Sequence, residues 1–144
     1  MNLEKTIEKI KVDLKDQYFA TDPETYNHSI RVAETFIFDN LNLSVFASLI
    51  ILSLLHDVVE DGKYTYDELK ARYGLSNEVI SALDAITRRS DEEYFVYIDR
   101  VKANSLASKV KMADLLDNIH RNSKDHSFDS LRKRYRKAFK VLSN

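Results

Sequence analysis

The stretch "LLHDVVEDG", Leu54–Gly62, sets one imidazole and three carboxylates within six positions, directly after the apolar run "FASLIILSLL". Charge buried without a partner is costly, so such a cluster calls for a metal ion, a proton or a counter-ion. His56 and Glu60 are four residues apart, as are Asp57 and Asp61, so on a helix each pair shares a face. Adjacent His56 and Asp57 diverge by about 100° on a helix, yet both reach one ion near a helix end. Further ligands must come from elsewhere in the chain. His28 in "NHSIRVAETF" and Asp114 in "VKMADLLDNIH" are the candidates, with Asn118 one turn beyond Asp114 on the same face.

Each of these residues has an ordinary structural explanation when taken singly. A lone helical histidine is usually a surface or hydrogen-bonded core residue, and acidic runs usually end helices near solvent. Two details weigh against that here. Glu60 and Asp61 at a helix C-terminus oppose the macrodipole. Asp114 lies between Met112-Ala113 and Leu115-Leu116, where an unpaired carboxylate is expensive. Taken together, the order His…His-Asp…Asp, with two imidazoles and two carboxylates, is much harder to explain structurally.

That donor set suits a borderline divalent ion, which would activate water and offset charge on phosphoryl oxygens. Glu60 and Asp61 are then the candidates for positioning the water and moving its proton. "ITRRS" and "RVKANSLASKVK" supply basic residues, of which Arg88 and Lys111 lie beside the motif segments and are the candidate phosphate-binding groups. His120 and His126 are poorly placed to join the Asp114 face, so a single ion is expected. Tyr94 and Tyr97, three apart, are expected in the core or at the rim.

Helices must position these groups. Two glycines and one proline in 144 residues leave little room for hairpins, and apolar spacing is helical almost throughout. Leu3, Ile7, Ile10 and Leu14 form one stripe. Asp22-Pro23 offers a cap and a first residue for the next helix, which carries Tyr26, Ile30, Ala33 and Ile37. Ser44 is the expected cap of a segment apolar nearly all round through Leu55, which predicts the central helix. Thr65 with Glu68 reads as a capping box, Gly74 as a stop, Ser76 as a cap, and Ser90 with Glu93 as a second capping box. Ser105 opens a helix to about Ile119, and Phe128, Leu131, Tyr135, Ala138 and Leu142 stripe the last one.

Composition narrows the function classes. The chain is 44% apolar and 31% charged with a net charge of −1, which fits one globular domain over residues 1–144. That balance disfavours nucleic acid as a partner, and the basic "LRKRYRKAFK" reads as an amphipathic helix with a solvated face. With no cysteine, disulfides, thiolate metal sites and cysteine nucleophiles are excluded. The amino-terminal segment lacks a signal-peptide apolar region, and Val45–Leu55 is too short to span a membrane, so no membrane partner and a cytoplasmic location are expected.

In the order and separation of these motifs the chain resembles the HD-domain metal-dependent phosphohydrolases, whose His-Asp pair is matched by His56-Asp57. "HSIRVAE", "LLHDVVEDG" and "VKMADLLDNI" are similar to motifs of the guanosine tetraphosphate (ppGpp) pyrophosphohydrolases, meaning the hydrolase domain of the Rel/SpoT proteins and small stand-alone relatives. The resemblance runs from about His28 to Asn118. It implies an all-α, single-domain HD-type helical bundle, with manganese as the typical ion on His28, His56, Asp57 and Asp114. It also implies Glu60 and Asp61 in catalysis, Asn118 in nucleotide binding, and a small-molecule nucleotide as substrate. The segment "QYFATDPETYNHSIR" departs from that family, lacking a basic pair before His28 and carrying Ser29 where proline is usual. Leu115-Leu116-Asp117 likewise stand where a basic residue and a histidine commonly precede the asparagine. Hydrolysis of a phosphate ester or anhydride is thus the broader expectation and a ppGpp-like 3′-pyrophosphohydrolase the narrower one. The alternatives are a nucleotidase acting on another (deoxy)nucleotide and a non-catalytic nucleotide-binding domain.

Overall fold

The central segment, apolar nearly all round, can only be stable if helices cover it on every side. A computed structural model, describing residues 3–37, 42–121 and 123–144, shows how this is done. The chain forms α1 (Leu3–Tyr18), α2 (Pro23–Glu34), α3 (Leu43–Leu55), α4 (Tyr66–Tyr73), α5 (Asn77–Ile86), α6 (Tyr94–Lys102), α7 (Ser105–His120) and α8 (Asp129–Ser143). A single 3₁₀ turn, His126–Phe128, leads into α8. There is no strand among the described residues, so the all-α expectation holds. None of these helices is long and apolar enough to cross a membrane.

Helix α3 is the hub. Every residue from Leu49 to Leu55 is buried, and α1, α2, α5 and α7 pack around it. Helix α7 also touches α2, α5, α6 and α8, so α3 and α7 together bring most of the molecule into contact. One hydrophobic core runs from Ile10 and Leu14 of α1, through Leu52 and Leu55, to Ala138 and Leu142 of α8.

Several boundaries follow the expected local chemistry. Asp22 accepts from the Thr25 amide at the start of α2. Thr65 and Glu68 form the reciprocal capping box of α4, and Gly74 closes that helix in the left-handed conformation at φ 62°. Ser76 caps α5. Others differ. Asn42, not Ser44, caps α3 by accepting from the Val45 amide, because the helix starts earlier than the apolar run suggests. Glu93 caps α6 with its own carboxylate, accepting from the amides of Phe95 and Val96 at 3.0 Å each. The Ser90–Glu93 capping box is therefore not formed; Glu92, bound to Arg100, instead accepts from the Arg89 amide and folds that loop. Helix α7 does open at Ser105 as expected, with Asn104 as its cap.

The last stripe holds at Tyr135, Ala138 and Leu142, which face the core, but not at its start. Phe128 and Leu131 are each 38% exposed, whereas Arg132 is buried and donates to the Asp125 carbonyl and the Asp129 carboxylate. Arg134, outside the stripe, also turns inward beside Tyr135, with consequences for the site.

Candidate metal centre

Three segments distant in sequence meet at one end of α3. Helix α2 turns His28 inward beside Ser29, Val32 and Ala33. Helix α3 ends at Leu55, so His56 is its C-cap and Asp57–Gly62 form turns, not the continuous helix that the spacing predicts. Those turns close with Gly62 N donating to Val59 O and Lys63 N to Val58 O, around a left-handed Gly62 at φ 71°. This is the Schellman hydrogen-bond pattern, and it closes the turns that follow α3, with glycine taking the left-handed conformation without strain. Helix α7 supplies the third segment, with Asp114 on its buried face.

The side chains converge tightly. The donor atoms of His28, His56 and Asp57 lie within 4.8 Å of one another, the one such group among the described residues. His28 Nε2 is 2.7 Å from Asp114 Oδ1, and His56 Nε2 is 3.3 Å from both Asp114 Oδ1 and Asp57 Oδ2. His56 Nδ1 donates to the Ser53 carbonyl at 2.6 Å, which leaves Nε2 facing the carboxylates. His28, His56 and Asp114 are each only 3% exposed. Asp114 also accepts from Lys111 Nζ at 2.7 Å and from Asn118 Nδ2 at 3.2 Å.

Two imidazoles and two carboxylates pointing at one volume, without a thiol, form a donor set that fits a borderline divalent cation. The electrostatics agree. Burial alone would lower the His56 imidazole, but Asp57 and Asp114 overcome it and push it up to about 9. Burial opposes ionisation of Asp114, yet Lys111 and the two histidines hold it well below the usual carboxylate range. The reciprocal attraction keeps Lys111 well above an ordinary lysine despite its burial. The carboxylates that hold a proton on His56 are the groups that would attract a cation in its place.

His28, Asp57 and Asp114 form the floor of a cavity of about 250 Å³. They line it together with Glu60, Arg88, Lys111 and Asn118, all singled out in the sequence. His56 is not part of the lining and reaches it through Asp57 and Asp114. Asp61 does not join the lining, and its carboxylate instead accepts from the Tyr18 hydroxyl at 2.8 Å. The acidic pair is therefore divided, with Glu60 towards the cavity and Asp61 towards α1. Burial and the neighbouring Asp57 raise Glu60 above an ordinary glutamate. Burial likewise raises Asp61, against the hydrogen bond from Tyr18. His120 and His126 are exposed and take no part in the cluster.

Sequence reasoning missed several neighbours. Arg121, Arg134, Tyr135 and Thr25 also line the cavity, and Tyr94 and Tyr97 form part of its wall. Arg134 was hidden in a basic run that reads as solvated surface. Its guanidinium packs 4.1 Å from the centroid of the Tyr94 ring, with Arg88 5.3 Å away from the same ring. Arg134 Nε and the Tyr94 hydroxyl are buried without a hydrogen-bond partner, so two polar groups beside the cavity are left unsatisfied. Asp117 was the other omission. It lies behind His28, and although burial opposes its charge, Arg31 and His28 hold its carboxyl below the ordinary range. Its spacing from Asp114, one helical turn, was the available signal.

In comparisons with known proteins, no family model matches the chain, and no curated protein matches its sequence.

Proposed function

We propose that this chain is a metal-dependent phosphohydrolase of the HD type that cleaves a phosphate ester or anhydride in a nucleotide. A ppGpp-like 3′-pyrophosphohydrolase is the leading substrate assignment. The observation that carries the reading is the juxtaposition of the His28–His56–Asp57 group, with Asp114 against both histidines, and a basic wall of Arg88, Lys111, Arg121 and Arg134 around one cavity. An acidic floor alone would repel phosphate, and a basic wall alone would bind it without chemistry. Together they suit an anion whose phosphorus lies close to a cation. Arg134 and Arg88 on the cavity lining support the same class of ligand, since a guanidinium donates to phosphate oxygens.

His28, His56, Asp57 and Asp114 would hold one divalent ion, manganese by resemblance. When bound, such an ion supplies Lewis acidity to water and to a phosphoryl oxygen. The remaining steps belong to side chains of this chain. Glu60, with its raised proton affinity, is placed to take a proton from the attacking water and return it to the leaving oxygen as the phosphorus–oxygen bond breaks. Arg88 and Arg134 orient the phosphate from the opposite wall, and Asn118 is held towards Asp114 at the cavity edge.

The test is a screen of manganese-loaded protein against ppGpp and a panel of nucleotides, scoring released phosphate and pyrophosphate. Metal-dependent release that disappears in His56→Ala and Asp57→Ala supports the reading. Cleavage of a nucleoside monophosphate with ppGpp left intact assigns the nucleotidase alternative. No release from any substrate despite tight metal binding would leave only the non-catalytic nucleotide-binding alternative.

A further inference from the structure

A ligand histidine is useful only if its ring is held with one nitrogen offered to the metal and the other carrying the proton. For His56 a backbone carbonyl does this, since Ser53 O accepts from Nδ1 at 2.6 Å. Among the described residues no backbone group serves His28 in this way. Its Nδ1 instead meets Asp117 Oδ2 at 2.6 Å, a contact spanning 89 residues of sequence from α2 to α7.

Asp117 is itself fixed. Arg31 Nε donates to its Oδ1 at 2.8 Å and Arg31 Nη2 to its Oδ2 at 3.1 Å, a two-point grip that sets the carboxylate plane. Arg31 also donates to Glu24 from the same nitrogen, so the chain of contacts runs from the surface of α2 to the buried ring. Asp114 and Asp117, one turn apart on α7, thus take the two opposite nitrogens of one imidazole.

We propose that Asp117 is the positioning residue for His28: it holds the ring proton on Nδ1 and aims Nε2 into the cluster, while Arg31 keeps Asp117 in register. The proposal rests on His28 being a metal ligand. A carboxylate accepting from the far nitrogen raises the donor strength of the near one and removes the entropy of ring rotation. An alternative role, a plain salt link between α2 and α7, predicts loss of stability without any specific effect on the metal.

The two roles separate on metal affinity. Asp117→Ala, Asp117→Asn, Arg31→Met and His28→Ala would be titrated with manganese by calorimetry, alongside thermal melts in chelator. Asp117→Ala is expected to weaken metal binding by about 10–100-fold. Asp117→Asn, whose amide oxygen still accepts from Nδ1, should restore part of that loss, and Arg31→Met should cost less than Asp117→Ala. In cobalt-loaded protein, the paramagnetically shifted His28 ring N–H should be protected from exchange with water, and this protection should vanish in Asp117→Ala. Affinity and N–H protection unchanged in Asp117→Ala, with only a lower melting temperature, would overturn the proposal and leave the metal reading standing. Should Asp117→Ala not fold, wild-type affinity in both Asp117→Asn and Arg31→Met would overturn it equally. Unchanged affinity in His28→Ala, or none in the wild type, would remove the metal reading and the proposal with it.

Discussion

Glu60 and Asp61 are neighbours in sequence but not in circumstance, and that difference sets their expected effects. Glu60 faces the cavity, whereas the Asp61 carboxylate accepts from Tyr18. Glu60→Gln should therefore lower kcat by about 10²–10⁴-fold, the usual cost of losing an acid–base group, with manganese affinity nearly unchanged. Asp61→Asn should cost less, and Tyr18→Phe should reproduce part of its effect; equal losses in Glu60→Gln and Asp61→Asn would contradict this division. His56 sets a pH dependence. Its imidazole is pushed up to about 9 by Asp57 and Asp114 against burial, so the metal-free fold binds its proton more tightly than the unfolded chain. That stabilisation is complete below the unfolded value near 6.5 and is lost as pH rises through about 9. A metal must displace the same proton, so its affinity should rise across that window. Melting curves in chelator and in saturating manganese, recorded from pH 6 to 9.5, should accordingly diverge.

At the level of elements, the turn after α3 is the sensitive point. Gly62 sits at φ 71° with no atom near an added Cβ, so Gly62→Ala meets strain but no clash. A loss of about 1–2 kcal/mol is expected, measurable by urea unfolding, and Gly62→Asn should lose less. Helices were well legible in the sequence where the deciding contacts are local. Thr65–Glu68, Gly74 and Ser76 act within a single turn of their own chain, and their roles could be read from spacing. Where two capping residues compete within a few positions, as with Asn42 against Ser44 or Glu93 against Ser90, the winner depends on packing. The site was legible as a set of residue types at the right separations. What spacing could not carry was direction: the turn of Asp61 towards Tyr18, the inward turn of Arg134 on α8, and the Asp117–His28 contact. Each depends on side chains brought together by tertiary packing.

For the whole molecule, the decisive feature is how charge is distributed, not its sum. A net charge of −1 conceals a pocket with an acidic floor and four cations around it. Long-range attraction to polyanions should be weak, and recognition should be confined to the cavity. Arg134→Ala and Arg88→Ala should therefore raise KM for a phosphate substrate, with Arg134→Ala the larger effect. Arg88 also donates to the Glu92 carbonyl, whereas Arg134 Nε has no hydrogen-bond partner. Steady-state kinetics on the substrate identified by the screen would measure both, and a KM unchanged in Arg134→Ala would exclude this wall from binding. The way the cluster is assembled also bears on biosynthesis. His28 and His56 are translated early, but their shared carboxylate partner, Asp114, belongs to α7. A chain emerging from the ribosome cannot complete the four-residue cluster until α7 is exposed. Before that point only His28, His56 and Asp57 are available to an ion, so the selectivity of the finished site over a nascent one would rest on the late arrival of Asp114.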